Sequence, residues 1–396
     1  MKEIVDRPVL LFSRFGPAPD GPHGGCHRSH QIWWDCAQAL GEANLQVITY
    51  APRRPWGHRH RWPIRSLMLR QNPLSALAAS KVAWDFARSV RFSEPLRQYE
   101  EYLREHGAPA LCIVEDAVWF HGIVLANRRL GVPTWACPHN LESLDLEGPL
   151  RLEHRLGTWG RFGNLANELV TLAACGARFA ISRVEAGFLG GVGLETEFYP
   201  YRPVGEIRDY FVKIRAARAS GAVEPRLLAL VGSATHAPTR EGMEWFLGNV
   251  RAHGLPVGTR IEVVGQGTET LRGAEALAPH GVARGWVDPD SLASLLARAH
   301  VVVIPHFSGF GALTRLAELP LAGVPVLVAS HAAHAVETLP GVERLPRQWH
   351  RWALALDDLF AREPGQCPEP AFDENSVLRQ ALAAEFGRRR HAAEAP

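Results

Sequence analysis

The chain has 396 residues, 46% of them hydrophobic and 21% charged, with a formal net charge of +2. This composition indicates an ordinary globular protein of two or three domains. No apolar run approaches the ~20 residues that a transmembrane helix needs. Acids precede the first apolar run, which favours a first strand over a signal peptide. The six cysteines form no CxxC pair, which suits reduced thiols and a cytoplasmic location.

Strands and helices alternate through the first half, a pattern typical of parallel sheets with crossover helices. The predicted strands are Val9–Phe12, Gln46–Tyr50, Leu111–Val114, Thr134–Cys137 and Arg178–Ser182. The predicted helices are His27–Gly41, Ile123–Leu130 and Asn167–Cys175.

A basic segment from Arg53 to Arg70 follows the second of these strands, and it contains arginines, Trp56 and Trp62 but no acid. Arginine interleaved with tryptophan can bind lipid headgroups or stack on nucleic-acid bases. Three interpretations remain open: a solvated arm, a surface for an anionic or membrane-associated acceptor, and a surface for a nucleic-acid acceptor. The second would place the protein peripherally on the inner face of a membrane.

The second half repeats the alternation after a break between Pro200 and Pro225, which we interpret as a linker with a first helix. The predicted strands are Leu227–Gly232, Arg260–Val264, Ala283–Trp286, Val301–Ile304 and Val326–Ala329, and the predicted helices are Glu241–Arg251 and Ser291–Ala299. We therefore expect an N-terminal domain over residues 1–200, to which a helix at about 376–396 returns, and a C-terminal domain over 201–375. Two doubly wound α/β domains would face across a cleft, with ligands at the C-terminal ends of the strands.

The most informative stretch is the glycine loop that follows the buried strand Val301–Ile304. Gly309 and Gly311 precede a short predicted helix that carries Arg315 and, three residues later, Glu318. A glycine-rich turn brings backbone N–H groups close to an anion. Arg315 can hold a phosphate, and Glu318 on the same helix face can accept hydrogen bonds from a diol. This layout indicates a nucleotide site.

The second half resembles, segment by segment, the donor domain of the retaining family-four glycosyltransferases, which have the two-domain GT-B fold. The matching segments are Val231-Gly232-Ser233, the pair Phe246-Leu247, Val264-Gly265-Gln266-Gly267, Gly285-Trp286-Val287-Asp288, and the block with Gly309, Gly311, Arg315, Glu318 and Gly323-Val324-Pro325-Val326. In the first half, GGCHRSHQIWWDCAQAL, PHNLESL and NELVTLAACGARFAISRVE match further motifs of the family.

The resemblance implies roles for residues of both halves. It places Glu318 at the ribose and Arg315 at the diphosphate, with Gly24 and Gly25 leaving room for that diphosphate and Arg28 touching it. It places His139 beside the transferred sugar. The other implied substrate contacts are Asn140, Ser233, Gly265, Gly267, His306, Gly309, Phe310 and Gly311.

Several of these residues also have purely structural interpretations. Arg28, Arg315 and Glu318 could be solvated side chains, and His139 could be a satisfied structural histidine. Asn140 could cap the next turn. Glu115 and Asp116 follow the strand Leu111–Val114, where paired acids are candidates for a general base or an acceptor contact. We include Glu115 among the predicted catalytic residues, with His139 and Arg315.

The sequence departs from the family at two positions of the glycine loop. Phe310 stands where many members have Glu, and Leu313 stands where one branch has Lys or Arg. Arg315 is therefore the one guanidinium left in this loop for the diphosphate.

No HExxH, DxD or cysteine cluster has metal-ligand spacing. Asp288-Pro289-Asp290 instead predicts the N-cap of the following helix. We expect no metal and no cofactor, the nucleotide-sugar being a co-substrate.

The resemblance implies a glycosyltransferase that moves a sugar from a nucleotide-sugar to an acceptor hydroxyl with retention and without a metal. Two alternatives remain. One is a glycosyltransferase-like nucleotide-sugar binding protein without catalysis, which Phe310 and Leu313 favour. The other is an epimerase or phosphorylase on the same fold. The acceptor and the oligomeric state are not predicted.

Overall fold

The computed structural model of the chain describes residues 7–18, 24–50, 67–69, 96–117, 119–145, 165–333 and 339–394. These residues form two compact units. Unit 1 comprises residues 1–201 and 373–396, and unit 2 comprises residues 202–372. Almost all of the basic segment from Arg53 to Arg70 lies outside the described residues.

Unit 1 is built on a parallel sheet of seven strands. In chain order they are β1 (Val9–Ser13), β2 (Leu45–Tyr50), β3 (Leu67–Leu69), β4 (Leu111–Val114), β5 (Thr134–Ala136), β6 (Ala177–Ala180) and β7 (Glu197–Phe198). Their order across the sheet is β3-β2-β1-β4-β5-β6-β7. The register places Val9 between Leu45 and Leu111.

Both faces of this sheet are covered, which explains why its central strands are apolar throughout. On β1, Leu10 and Phe12 belong to one buried cluster, whereas Val9 and Leu11 belong to another on the opposite face. The helices of the first part of the chain are α1 (Gly24–Leu40), α2 (residues 96–106), α3 (His121–Leu130), α4 (Glu142–Asp145), α5 (residues 165–173) and α6 (Arg183–Gly191).

Unit 2 is built on a second parallel sheet, of six strands. They are β8 (Leu227–Val231), β9 (Arg260–Val264), β10 (Gly281–Ala283), β11 (Val301–Ile304), β12 (Val326–Ala329) and β13 (Val342–Leu345). Their order is β10-β9-β8-β11-β12-β13. The helices are α7 (Gly205–Ala217), α8 (Ala237–His253), α9 (Pro289–Arg298), α10 (Arg315–Leu321), α11 (Ser330–Ala333) and α12 (Trp349–Phe360). The architecture of two doubly wound α/β domains is confirmed.

The last helix, α13 (Val377–Glu394), belongs to unit 1 rather than to the unit that precedes it. Its Leu378, Leu382 and Phe386 are buried in one cluster with Ile32 and Trp33 of α1. Their spacing of four residues places them on one face of the helix, which is the face that packs.

The structure differs from the sequence predictions in several elements. The predicted strand Ala283–Trp286 is wrong, because the strand is Gly281–Ala283 and the chain then turns at Gly285, whose φ is 73°. Trp286 is 66% exposed. The break after Pro200, interpreted as a linker with a first helix, does contain a helix, α7, which buries Ile207, Phe211 and Ile214 in unit 2. The edge strands β7 and β13 and the helix α12 were not predicted. Asp288, in contrast, caps α9 as expected and accepts hydrogen bonds from the N–H groups of Asp290 and Ser291.

No described helix is long and apolar enough to cross a bilayer.

Candidate active site

Three glycines bring the C-terminal ends of neighbouring strands in unit 2 into backbone contact. Gly232 follows β8 and donates its N–H to the carbonyl of Val264 (3.0 Å), and Gly265 follows β9 and donates to the carbonyl of Gly285 (2.8 Å). A Cβ on Gly265 would overlap the carbonyl of Gly232. Only glycine fits, because the two backbones are too close for a side chain and the φ of Gly265 is 135°.

Arg315 lies against this cluster at the start of α10. Its guanidinium lies at the end of β8 and donates a hydrogen bond to the carbonyl of Val231. A Cβ on Gly232 would overlap the guanidinium, so the glycine leaves the space that Arg315 occupies. Burial lowers the pKa of Arg315 below its ordinary value, and the carboxylate of Glu318 offsets part of this effect. Glu318 is 3% exposed and lies one turn further along the same helix.

His306 lies beside Arg315 after β11 and is 5% exposed. Its ring stacks on that of His236 with centroids 5.8 Å apart and planes 11° apart. No described residue forms a hydrogen bond with its buried Nδ1 atom. Burial, with the nearby Arg315, His236 and His331, lowers the pKa of His306 to about 3.

A small cavity is lined by His306, Arg315 and Thr239 together with Val231 and Met243. Helix α8 approaches this cavity closely because of Gly242, where a Cβ would overlap the carbonyl oxygen of Pro305. The helix can therefore pack directly on the backbone that carries His306.

The loop between β11 and α10 has the backbone that its glycines predict. Gly309 and Gly311 have φ values of 98° and 81°, in the left-handed region. Nε2 of His331 lies 2.7 Å from the carbonyl of Gly309 and ties α11 to the loop. Phe310 is 42% exposed, whereas Leu313 packs against the core.

The two remaining predicted contacts in unit 2 lie beside the glycine cluster. Ser233 follows Gly232, and its hydroxyl lies 2.7 Å from that of Thr235. Gly267, with φ 79°, begins the short turn Thr268–Thr270. The structure thus brings all the predicted donor residues of unit 2 to one end of its sheet.

Unit 1 has its own polar group at the ends of β1, β4 and β5. Glu115 follows β4 and is fully buried, and its Oε2 accepts a hydrogen bond from the hydroxyl of Ser29 (2.6 Å). Nε2 of His139 lies 3.3 Å from the same oxygen. The hydroxyl of Ser13 donates in turn to Ser29 (3.2 Å). No described residue forms a hydrogen bond with Oε1, the other carboxylate oxygen of Glu115.

Two buried carboxylates hold the loop that carries His139, and neither was predicted as a site residue. Glu168 accepts hydrogen bonds from the N–H groups of Glu142 and Ser143 and from the Ser143 hydroxyl. Burial raises the pKa of Glu168 to about 7. Glu185 accepts from the N–H of Leu141 (2.7 Å) and from the hydroxyl of Ser182 (2.8 Å). The end of the matching segment NELVTLAACGARFAISRVE therefore forms a helix cap that also fixes this loop.

Asn140 follows His139 in this loop and is half-buried. No described residue bonds its Oδ1 atom, which is buried. A further group lies nearby: the guanidinium of Arg14 contacts Asp116 at 3.4 Å and Glu142 at 3.2 Å.

Arg28 does not have the geometry that a phosphate contact requires. It is 1% exposed and donates to the side chain of Gln31 (2.7 Å) and to the carbonyl of Tyr199 (2.9 Å). Its guanidinium also lies over the Tyr199 ring at 4.0 Å, and burial lowers its pKa. Arg28 therefore holds α1 against the end of β7. Gly24 and Gly25, predicted in a loop, are the first two residues of α1.

Within the described ranges, no three His, Cys, Asp or Glu side chains are placed to share a metal ion. Metal independence stays a prediction.

The sequence matches no protein-family model and no curated protein. Solved structures similar to it include sucrose-phosphate synthase from Thermosynechococcus elongatus, with a TM-score of 0.66 and 16% identity, over 98% of this chain and 94% of that one. HepE of Anabaena in complex with UDP has a TM-score of 0.60 and 13% identity, over 98% of both chains. The chain has the GT-B fold.

A third similar structure is the catalytic domain of starch synthase IV from Arabidopsis thaliana bound to ADP and acarbose. Its TM-score is 0.57 and its identity 11%, over 98% of both chains. At such identities the likeness establishes the GT-B fold alone, and the activity has to be argued from the residues of the site.

Proposed function

We propose that this protein is a glycosyltransferase that uses a nucleotide-activated sugar. The observation that carries the proposal is the set of residues at the C-terminal end of the unit 2 sheet, where Gly232, Gly265, Arg315, His306 and Glu318 lie together. Ligands of doubly wound sheets bind at this end. The similar structures with UDP or ADP support a nucleotide here.

In this proposal the site residues of unit 2 bind different parts of the nucleotide-sugar donor. Arg315 holds the diphosphate, with the glycine backbones allowing close approach. Glu318 accepts hydrogen bonds from the ribose hydroxyls, which matches its position one turn beyond Arg315. As the bond between the anomeric carbon and the phosphate oxygen breaks, negative charge grows on the diphosphate, and a cation fixed beside it lowers the barrier.

Unit 1 contributes His139 and Glu115. If Nε2–H of His139 is donated to the Glu115 carboxylate, Nδ1 is left as an acceptor for a sugar hydroxyl. The acceptor oxygen then bonds to the anomeric carbon, and its proton passes to the departing phosphate on the same face. This retaining route needs positioning more than a strong base.

The proposal is tested by titrating the protein with UDP, ADP and GDP and with UDP-glucose, ADP-glucose and GDP-mannose in a calorimeter. At least one pair is expected to bind, and the bound nucleotide-sugar is expected to release its nucleoside diphosphate slowly in water and faster with an acceptor. Failure of every nucleotide to bind would overturn the proposal. Binding without any release would favour the alternative of a binding protein without catalysis, which Phe310 and Leu313 suggest.

Retention and metal independence are part of the proposal and have their own tests. The anomeric configuration of the product, read by NMR, is expected to equal that of the donor. Turnover is expected to survive excess EDTA. Loss of activity with EDTA and its recovery with Mg²⁺ or Mn²⁺ would contradict the metal-free mechanism.

A further inference from the structure

The cavity beside Arg315 offers hydrogen-bond donors to a ligand. Arg315 and His306 line it together with Thr239. A guanidinium carries five N–H donors and no acceptor, and a neutral imidazole carries one N–H. Arg315 donates to the carbonyl of Val231 at the end of β8. A negatively charged oxygen is the group that best complements such a lining.

The buried Nδ1 atom of His306 is the clearest indication that this cavity takes a ligand. It has no hydrogen-bond partner among the described residues although the side chain is 5% exposed. An unpaired buried polar atom is unfavourable and needs a reason. His306 lines the cavity with Arg315, so a ligand held by Arg315 is within reach of the imidazole.

The groups that face His306 come from three elements. Arg315 lies on α10, His236 lies just before α8, and His331 lies on α11, and all three disfavour a proton on His306. Glu318 of α10 lies near Arg315 and acts on the guanidinium. Without a ligand, burial and these neighbours lower the pKa of His306 to about 3, so the imidazole is neutral at pH 7.

We propose that His306 takes up a proton when the diphosphate of the nucleotide-sugar binds at Arg315, so that donor binding is coupled to protonation. This inference rests on the proposed function. A protonated His306 would supply a second positive charge beside Arg315, since Leu313 of the same loop is apolar and packs against the core.

The magnitude can be judged from Coulomb's law. One negative charge about 4 Å from the ring, at an effective dielectric constant of about 20, raises the proton affinity of His306 roughly a thousandfold. Starting from the low pKa of the free protein, the bound protein then takes up about half a proton at pH 6. Affinity for the donor should rise about tenfold between pH 7 and pH 5.

The experiment is a calorimetric titration with UDP-glucose and ADP-glucose at pH 5, 6, 7 and 8. Both phosphates of these donors keep one charge each over this range, so the ligand does not titrate. At pH 6 the titration is repeated in MES and in Bis-Tris, whose ionisation enthalpies differ, and the difference in heat counts the protons taken up. The expected result is about half a proton at pH 6 and about a tenfold gain in affinity from pH 7 to pH 5.

The variants separate this proposal from a general pH effect. His306→Gln keeps a hydrogen-bond donor but cannot titrate, so binding should persist without proton uptake and without pH dependence. His280→Gln is the matched control, because His280 is an exposed histidine just before β10, at the opposite end of the same sheet, and it should behave as wild type.

The outcomes are distinct. Binding without proton uptake in the wild type, or uptake that persists in His306→Gln, would overturn this inference and leave the proposed function standing. Absence of proton uptake in the wild type overturns the inference even if His306→Gln fails to fold. If neither nucleotide-sugar binds and the nucleotide panel also fails, the proposed function falls, and this inference falls with it.

Discussion

Glu318 is the residue whose replacement tests the nucleotide site most directly. Glu318→Ala should weaken nucleotide binding about 10- to 100-fold, because hydrogen bonds to a charged group contribute about 1.5–3 kcal/mol. The measurement is a calorimetric titration with the nucleotide that the wild type binds. Glu241→Ala, at an exposed position of α8, is the control and should bind as wild type. Unchanged affinity in Glu318→Ala would remove Glu318 from the ribose site.

Glu115 should affect turnover rather than nucleotide binding. Glu115→Gln removes the charge that Ser29 and His139 share and replaces an acceptor oxygen by a donor amide. We expect kcat to fall about 10- to 100-fold, on the same scale for a charged hydrogen bond, with nucleotide affinity unchanged. Glu195→Gln, an exposed position of the same unit, is the control. Equal kcat in the wild type and Glu115→Gln would leave Glu115 with a structural role only.

At the residue scale, the sequence predicted which residues lie at the strand ends of unit 2. A strand end followed by glycines and a helix start is a local pattern that the sequence itself displays. The sequence could not indicate the direction of a side chain. Arg28 has the spacing of a first-turn phosphate contact, but its guanidinium turns inward to Tyr199, a residue far along the chain. Glu168 and Glu185 were overlooked for the same reason, since the loop that they hold is distant in sequence.

At the scale of elements, helix α8 carries two glycines whose replacement by alanine should have opposite effects on stability. A Cβ at Gly242 overlaps the carbonyl of Pro305, so Gly242→Ala must push the helix away from the backbone of His306. Overpacking of this kind costs about 1–3 kcal/mol. Gly248, on the exposed side of the helix, has no atom within 4 Å of the added Cβ. Gly248→Ala should stabilise by about 0.5–1 kcal/mol through helix propensity.

The comparison is made by urea unfolding of both variants, with nucleotide affinity measured alongside. Gly242→Ala should lose stability and nucleotide affinity together, whereas Gly248→Ala should gain stability and bind as wild type. A stable Gly242→Ala variant with normal affinity would show that the close packing of α8 on Pro305 is not required by the site.

Elements were predictable from the sequence where burial is complete. The strands Leu111–Val114, Val301–Ile304 and Val326–Ala329 have the predicted bounds, because strands covered on both faces are short apolar runs. Arg260–Val264 also has the predicted bounds, although Arg260 is exposed and Glu262 is charged. The edge strand β13 has the sequence VERL, with Glu343 and Arg344 exposed, so it carries no such run. Strand β10 was shifted in the prediction because Trp286 looks like a core residue and is exposed.

At the scale of the whole molecule, three buried histidines should make stability depend on pH. Burial lowers the pKa of His30 and His300 to about 4 and, with its charged neighbours, that of His306 to about 3, from an ordinary value of 6.5. Nδ1 of His300 accepts the N–H of Arg226 (3.1 Å), which requires the neutral ring. Below pH 6.5 the unfolded chain therefore binds more protons than the folded one, and stability falls as the pH falls.

Glu168 acts in the opposite sense, because its pKa is raised to about 7 and the folded state binds that proton first. With three histidines and one carboxyl acting in opposite senses, the unfolded chain binds about two more protons than the folded one. The free energy of unfolding should therefore fall by about 2–3 kcal/mol per pH unit between about pH 6 and pH 5. The measurement is the urea midpoint of each unfolding transition between pH 7.5 and pH 5. His300→Gln should flatten the dependence, whereas the exposed His280→Gln should not. A midpoint that does not change with pH would contradict the neutral burial of these rings.

The return of α13 to unit 1 has a consequence for how the protein is made. All of unit 2 is synthesised between the last strand of unit 1 and the helix that covers α1. Domains generally fold as they emerge from the ribosome, the N-terminal one first. Here the unit that emerges first waits for Leu378, Leu382 and Phe386, so unit 2 can finish folding before it. We expect an apolar face of α1 to be exposed to water during that interval, where chaperones would bind the nascent chain.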